Sequence, residues 1–391
     1  MATTPLHFAE RMSRLGTESA FDVMVRARAL EAQGKEIIHL QLGEPDFNTP
    51  AHIIEAGVEA LRGGETHYTP PAGIPQLRQA IANEVSTTRG VDIQPENVVV
   101  TPGGKPIMFF LILALAGESD EVIYPDPGFP IYGSVVEFAG AKPVPLPIRE
   151  ELDFRFDLDE LRSLVNERTR LVIINSPANP TGGILTDEDL AELARLAVEY
   201  DFVVMSDEIY RKIVYGDFDQ PSIITYPGMQ ERTVILDGFS KTFAMTGWRL
   251  GFGVMPTEIA AQVTRLAINC NSCTPGFTQL AGVAALTGPQ KPIAEMVTEF
   301  QRRRDFIVDG LNVIPGLTCK LPVGAFYVFP NVSHYGDNIG DYLLNEAGVA
   351  AVDGSAFGQY GKGYLRISYA NSLENIEKAL ERRGSALARM Q

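Results

Sequence analysis

Short apolar runs alternate with amphipathic stretches along most of the 391 residues. The runs are VVV at 98–100, EVIYP at 121–125, LVIIN at 171–175, FVVMSDE at 202–208, TVILDGF at 233–239 and RLGFGVM at 249–255. Each is short and mostly rich in β-branched residues, so each predicts a strand. A run such as Leu171 to Ile174, apolar at every position, fits a strand buried on both faces. Between the third and fourth runs, LTDEDLAELARLAVEYD places its apolar residues at helical spacing. Thr186 is its expected N-cap, with acids in the first turn. Strand alternating with helix predicts an α/β fold with a mostly parallel sheet covered by helices on both faces.

After about residue 285 the texture changes. Arg-rich helical sequence (EFQRRRDFIVDGL) leads to GAFYVFP and then GYLRISYA, which reads as a smaller α+β domain. Ahead of Pro50 stand a helical stretch, AFDVMVRARALEAQG, and a short strand, IIHLQL, which pattern alone does not place. The longest apolar run, Ile107 to Gly117, is far too short for a membrane span and reads as a buried helix. The N-terminal stretch MATTPLHFAERMSRL has no apolar signal core.

A length of 391 residues exceeds one ordinary domain. The net charge of −16 argues against nucleic acid or an anionic membrane as partner. Three cysteines, Cys270, Cys273 and Cys319, make a sparse and odd set, so a reducing cytoplasm is expected and a disulfide framework is not. Cys270 and Cys273 have the spacing of a metal or redox pair, but no second pair and no nearby His accompany them; no metal site is expected.

Several strand ends carry chemically useful groups, and ligands of open α/β sheets bind just outside the carboxyl ends of strands. VVV runs into Thr101-Pro102-Gly103-Gly104-Lys105 and then into an apolar helix. That is either a plain strand-to-helix turn or an anion cradle of glycine backbone and free helix N–H groups. It is not a P-loop, since Val99 stands where the first Gly belongs and Pro106 where Ser or Thr belongs. No dinucleotide fingerprint is present. LVIIN runs into a turn containing Asn179-Pro180-Thr181-Gly182-Gly183. FVVMSDE puts Asp207 and Glu208 at a strand end with Tyr210 close by; an acid there either caps a turn or serves a ligand. TVILDGF runs into Ser240-Lys241, and a Lys just past a buried strand loses its proton more readily than a surface one, which suits imine chemistry.

In this order these strings resemble the class I aminotransferases of the type-I pyridoxal-phosphate fold, from GEPDFNTP at 43–50 to YLRISYA at 364–370. The most specific are NPTGG at 179–183, SDEIY at 206–210 and SKTFAMTGWRLG at 240–251. The resemblance implies pyridoxal 5'-phosphate as cofactor, carried by Lys241, with an amino acid and a 2-oxo acid as substrates. It implies that Asp207 pairs with the ring nitrogen, that Tyr210 and Asn179 hydrogen-bond the ring oxygen, and that Phe129 in PDPGFPIY stacks on the ring. Gly103, Gly104, Lys105 and Arg249 match phosphate-site positions, and Tyr68 in HYTPPAG matches a tyrosine that reaches the phosphate of the neighbouring subunit of a homodimer. Arg366 matches the arginine that clamps the substrate α-carboxylate, helped by Asn179 and the backbone at Gly43. Many relatives have Ser or Thr three residues before the lysine; here Gly238 stands there, and Ser240 is expected to contribute instead. The implied division is a large cofactor-binding domain over 50–285 and a small domain of 1–49 with 286–391.

The resemblance leaves one rival reaction on the same fold: a carbon–sulfur β-lyase or related lyase. A transcription regulator with an aminotransferase-like domain is a third reading. It would need a DNA-binding module ahead of GEPDF, where about 40 residues stand, and the acidic charge disfavours it. The residues do not specify the amino donor. Phe21, Phe326 and Tyr327 either line a side-chain pocket or belong to the core.

Overall fold

The computed structural model describes residues 6–218 and 220–390. Its centre is an eight-stranded sheet. The strands are β2 (Val98–Thr101), β3 (Glu121–Asp126), β4 (Lys142–Arg149), β5 (Arg155–Phe156), β6 (Thr169–Asn175), β7 (Val203–Asp207), β8 (Thr233–Gly238) and β9 (Gly251–Val254), with β1 (Ile38–His39) lying elsewhere. Their order is β2-β9-β8-β7-β6-β3-β4-β5. The five inner strands β8, β7, β6, β3 and β4 run parallel, while β9 is antiparallel to both neighbours and β5 is antiparallel to β4. The expected mostly parallel sheet is present. The fully apolar run of β6 has a direct physical cause. Leu171 and Ile173 pack with the helices Lys105–Leu115, Ile131–Ala139 and Thr257–Asn271, whereas Val172 and Ile174 pack with Leu158–Leu164 and Asp187–Tyr200 on the other face. Thr186 caps the last of these, its hydroxyl accepting from the Asp189 N–H while the Asp189 carboxylate accepts from the Thr186 N–H.

Outside this sheet, β1 pairs in parallel with β11 (Val349–Ala350), so the segment that pattern alone could not place joins the C-terminal part of the chain. There, β10 (Tyr327–Val328), β12 (Val352–Asp353) and β13 (Leu365–Ser368) form an antiparallel sheet, and the helices Lys291–Asn312 and Leu373–Ala388 contribute to its core. Phe326 is fully buried in that core against Phe300, and Phe21 is half exposed on its helix.

Because β2, β8, β7, β6 and β3 point the same way, their carboxyl ends meet at one edge. The Gly103 turn, Lys241, Asp207, Asn179 and Pro127 all follow those ends. β9 runs the other way, so its amino end brings Arg249 to the same edge.

Candidate active site

Lys241 lies three residues beyond the end of β8, and its Nζ donates to the Gly43 carbonyl at 2.5 Å. Burial pushes its ammonium down to about 8; Arg366, Arg249 and Lys105 push the same way against Glu44. Asp207 closes β7 and is 8% exposed. One carboxylate oxygen accepts from the Tyr132 hydroxyl at 2.6 Å and the other from the Ile209 N–H at 3.2 Å. Burial raises its carboxyl to about 6, opposed by both of those bonds. An acid held there, ionised but weakly solvated, calls for a cationic partner.

Arg366, on β13, is buried between the rings of Tyr327 at 4.7 Å and Phe357 at 4.8 Å. Its Nη1 donates to Asn179 Oδ1 at 3.0 Å and its Nη2 to the Gln41 carbonyl. Its Nε is buried with no partner among the described residues. An unpaired buried donor on a guanidinium is a standing invitation to an anion, and a carboxylate fits it. Asn179 is itself fixed by its N–H to Asn175 Oδ1 at 2.8 Å. The Tyr210 hydroxyl shares a hydrogen bond of 2.7 Å with that of Tyr327.

The Gly103–Gly104 turn is a cradle in which side chains would not fit. Gly103 has φ +88°, and a Cβ on it would lie 2.4 Å from Arg249 Nη2. Gly103 spends its N–H on the Thr101 carbonyl, leaving Gly104 and Lys105 to open the helix with first-turn N–H groups. The Lys105 ammonium pairs with Glu18 and lies 5.5 Å from the centre of the Phe129 ring. Ser240 is buried at the same edge. Gly238 faces Gly251 across the β8–β9 pair, and a Cβ there would sit 3.1 Å from the Gly251 Cα. Any side chain at that position would crowd this close strand pair.

These observations bring Lys241, Asp207, Tyr210, Asn179, Arg366, Gly43, Phe129, Ser240, Arg249 and the Gly103 turn to one edge. Tyr68 is apart: it is 91% exposed on the segment between the helices Ala51–Arg62 and Pro75–Arg89. Tyr132 and the Gln41 carbonyl enter the site without any signal in the sequence reading, and Tyr327 enters through its hydroxyl instead of as a plain pocket wall.

The buried carboxylate, the lysine with lowered basicity, the glycine cradle and the unpaired arginine donor together suit pyridoxal 5'-phosphate and a carboxylate substrate. The comparisons agree with this chemistry. The chain is 43% identical to an aspartate aminotransferase of Pyrococcus abyssi, covering 89% of this chain and 91% of that one. It is 43% identical to aromatic-amino-acid aminotransferase 2 of Thermococcus litoralis, covering 90% and 92%. The solved aspartate aminotransferase of Rhizobium meliloti superposes with a TM-score of 0.94 at 36% identity over 98% of this chain and 100% of that one. The family model for aminotransferase class I and II matches residues 35–382, and the chain belongs to that family of pyridoxal-phosphate-dependent transaminases.

Proposed function

We propose that this transaminase works in two half-reactions at the one edge just described, taking the amino group from an L-amino acid and passing it to a 2-oxo acid. Arg366 holds the α-carboxylate of both, with Nε as the donor left open for it and Asn179 beside it. Pyridoxal 5'-phosphate, when bound, supplies a ring that withdraws electrons from the substrate Cα. Asp207 would face the ring nitrogen, with Tyr132 holding the carboxylate in place. Tyr210 and Asn179 would hold the ring oxygen, Phe129 would cover the ring face, and Gly104, Lys105 N–H, Ser240 and Arg249 would hold the phosphate. Lys241 would anchor the cofactor, and its Nζ would carry a proton to and from the substrate Cα. An amine with a proton affinity near neutrality suits both directions of that transfer.

The working unit is a homodimer in which Tyr68 serves the partner's site, and the protein resides in the cytoplasm. No helix among the described residues is long and apolar enough to cross a membrane. Residues 50–285 form the large domain, and 1–49 with 286–391 the small one.

The observation that carries this reading is the buried Arg366 with its open donor beside Asn179. The test is borohydride reduction of the cofactor-loaded protein followed by peptide mapping. The label is expected on Lys241; a label on another lysine, or none, overturns the assignment. In parallel, aspartate, alanine and aromatic amino acids are assayed with 2-oxoglutarate or pyruvate. Turnover that proceeds without any oxo acid would identify a lyase instead.

A further inference from the structure

Tyr327 touches Tyr210, Arg366 and the backbone at Gly43, yet has no role in the scheme above. It sits on β10 opposite Ser368 of β13, and it is 1% exposed. Its hydroxyl lies 2.7 Å from the Tyr210 hydroxyl. Its ring forms one wall of the aromatic sandwich on Arg366, with Phe357 as the other. Its hydroxyl also packs against the backbone at Gly43: a Cβ there would fall 2.0 Å from it. The Gly43 carbonyl in turn receives Lys241 Nζ. Three groups with proposed roles, Tyr210, Arg366 and Gly43, therefore meet one side chain, and Lys241 is linked to it through the Gly43 carbonyl.

We infer that Tyr327 is a positioning residue with two separable tasks: its hydroxyl holds and polarises Tyr210, and its ring fixes the plane of the Arg366 guanidinium. This rests on the function proposed above. Burial keeps the Tyr327 phenol protonated well past neutrality, so it can donate. A donor on the Tyr210 oxygen makes the Tyr210 O–H a stronger donor in its own right, because hydrogen bonds in series polarise one another. That stronger donor favours a negative ring oxygen on the cofactor. The ring task is geometric. Two rings at 4.7 and 4.8 Å from the guanidinium carbon restrict its tilt, and Asn179 Oδ1 and the Gln41 carbonyl hold two of its nitrogens.

Two substitutions separate the tasks. Tyr327→Phe keeps the ring. It is expected to shift the pH titration of the bound cofactor's visible absorption upward by about half a unit, as the loss of one modest hydrogen bond implies. The Michaelis constants should change less than about twofold, the range of a side chain that lost no substrate contact. Tyr327→Leu removes both. It is expected to add a roughly tenfold rise in the Michaelis constant for every amino and oxo acid alike, the loss of about one cation–π contact. Gly43→Ala supplies a check that needs neither cofactor nor turnover. It should lower the thermal midpoint of the cofactor-free protein, and adding Tyr327→Phe should recover part of that loss, because the clashing atom is gone. An unchanged absorption titration in Tyr327→Phe overturns the hydroxyl task. Unchanged Michaelis constants in Tyr327→Leu overturn the ring task. Additive stability losses in the double variant overturn the contact with Gly43. If the borohydride label misses Lys241, the underlying reading fails independently of these results.

Discussion

Arg366 spans two acceptors that come from distant parts of the chain, Asn179 Oδ1 and the Gln41 carbonyl, and keeps one donor open. A lysine has a single donating atom and cannot bridge both while facing a carboxylate. Arg366→Lys is therefore expected to raise the Michaelis constant of every substrate, whatever its side chain. The loss should be about 1.5–3 kcal/mol, that of a hydrogen bond to a charged group. Affinity for free cofactor should barely change. Steady-state kinetics with an acidic, a small and an aromatic donor check this; a defect confined to the acidic donor would mean that Arg366 reads the side chain. The residues legible in the sequence were those placed by the end of a strand: Lys241, Asp207 and Asn179 each follow an apolar run. Tyr132 meets Asp207 across 75 positions, Tyr327 meets Tyr210 across 117, and the Gln41 carbonyl meets Arg366 across 325. No local pattern encodes such meetings.

At the scale of elements, β4 and the capped helix Asp187–Tyr200 are opposite cases. β4 carries a weak strand signal, because Pro143, Pro145 and Pro147 interrupt it and prolines ordinarily argue against a strand. In the structure those three fall on alternate positions. The residues between them direct their N–H groups to β3, and the prolines face the other edge, which β5 pairs only at Ile148 and Arg149. The missing donors are on the side where few are needed. The helix Asp187–Tyr200 was readable because its capping box is local: Thr186 and Asp189 are three residues apart. Thr186→Ala is expected to cost about 1 kcal/mol of stability, while Thr186→Ser leaves it nearly intact. Denaturant unfolding of both variants checks this, and equal losses would show that the hydroxyl does not cap. Activity in the folded state should not move, since the hydrogen bonds of the Thr186 hydroxyl run to Asp189 and Arg155 and to no residue of the candidate site.

For the whole molecule, Tyr68 is exposed on the single chain, and the proposed homodimer gives it a place. In the proposed homodimer each site takes Lys241 from one subunit and Tyr68 from the other. Mixing Tyr68→Phe with Lys241→Ala subunits should then produce hybrids in which one site carries both lesions and the other is intact. The activity of the mixture should exceed the average of its parents, with cofactor affinity at the intact site restored to that of the unsubstituted protein. A mixture that merely averages its parents, or fully active monomers in sedimentation, would refute the shared site.

By itself the sequence determined the alternation of strand and helix, the burial of β6 on both faces, and the chemistry at each strand end. All of these are local: periodicities of two and 3.6, capping three residues apart, and a polar group following an apolar run. Tertiary structure decided the strand order, the reversal of β9 that brings Arg249 to the site, and the union of β1 with β11. It also decided which tyrosines bond Asp207 and Tyr210. Strand pairing and side-chain contact depend on which distant segments the closed chain brings together. A pattern with a span of a few residues carries no information about that.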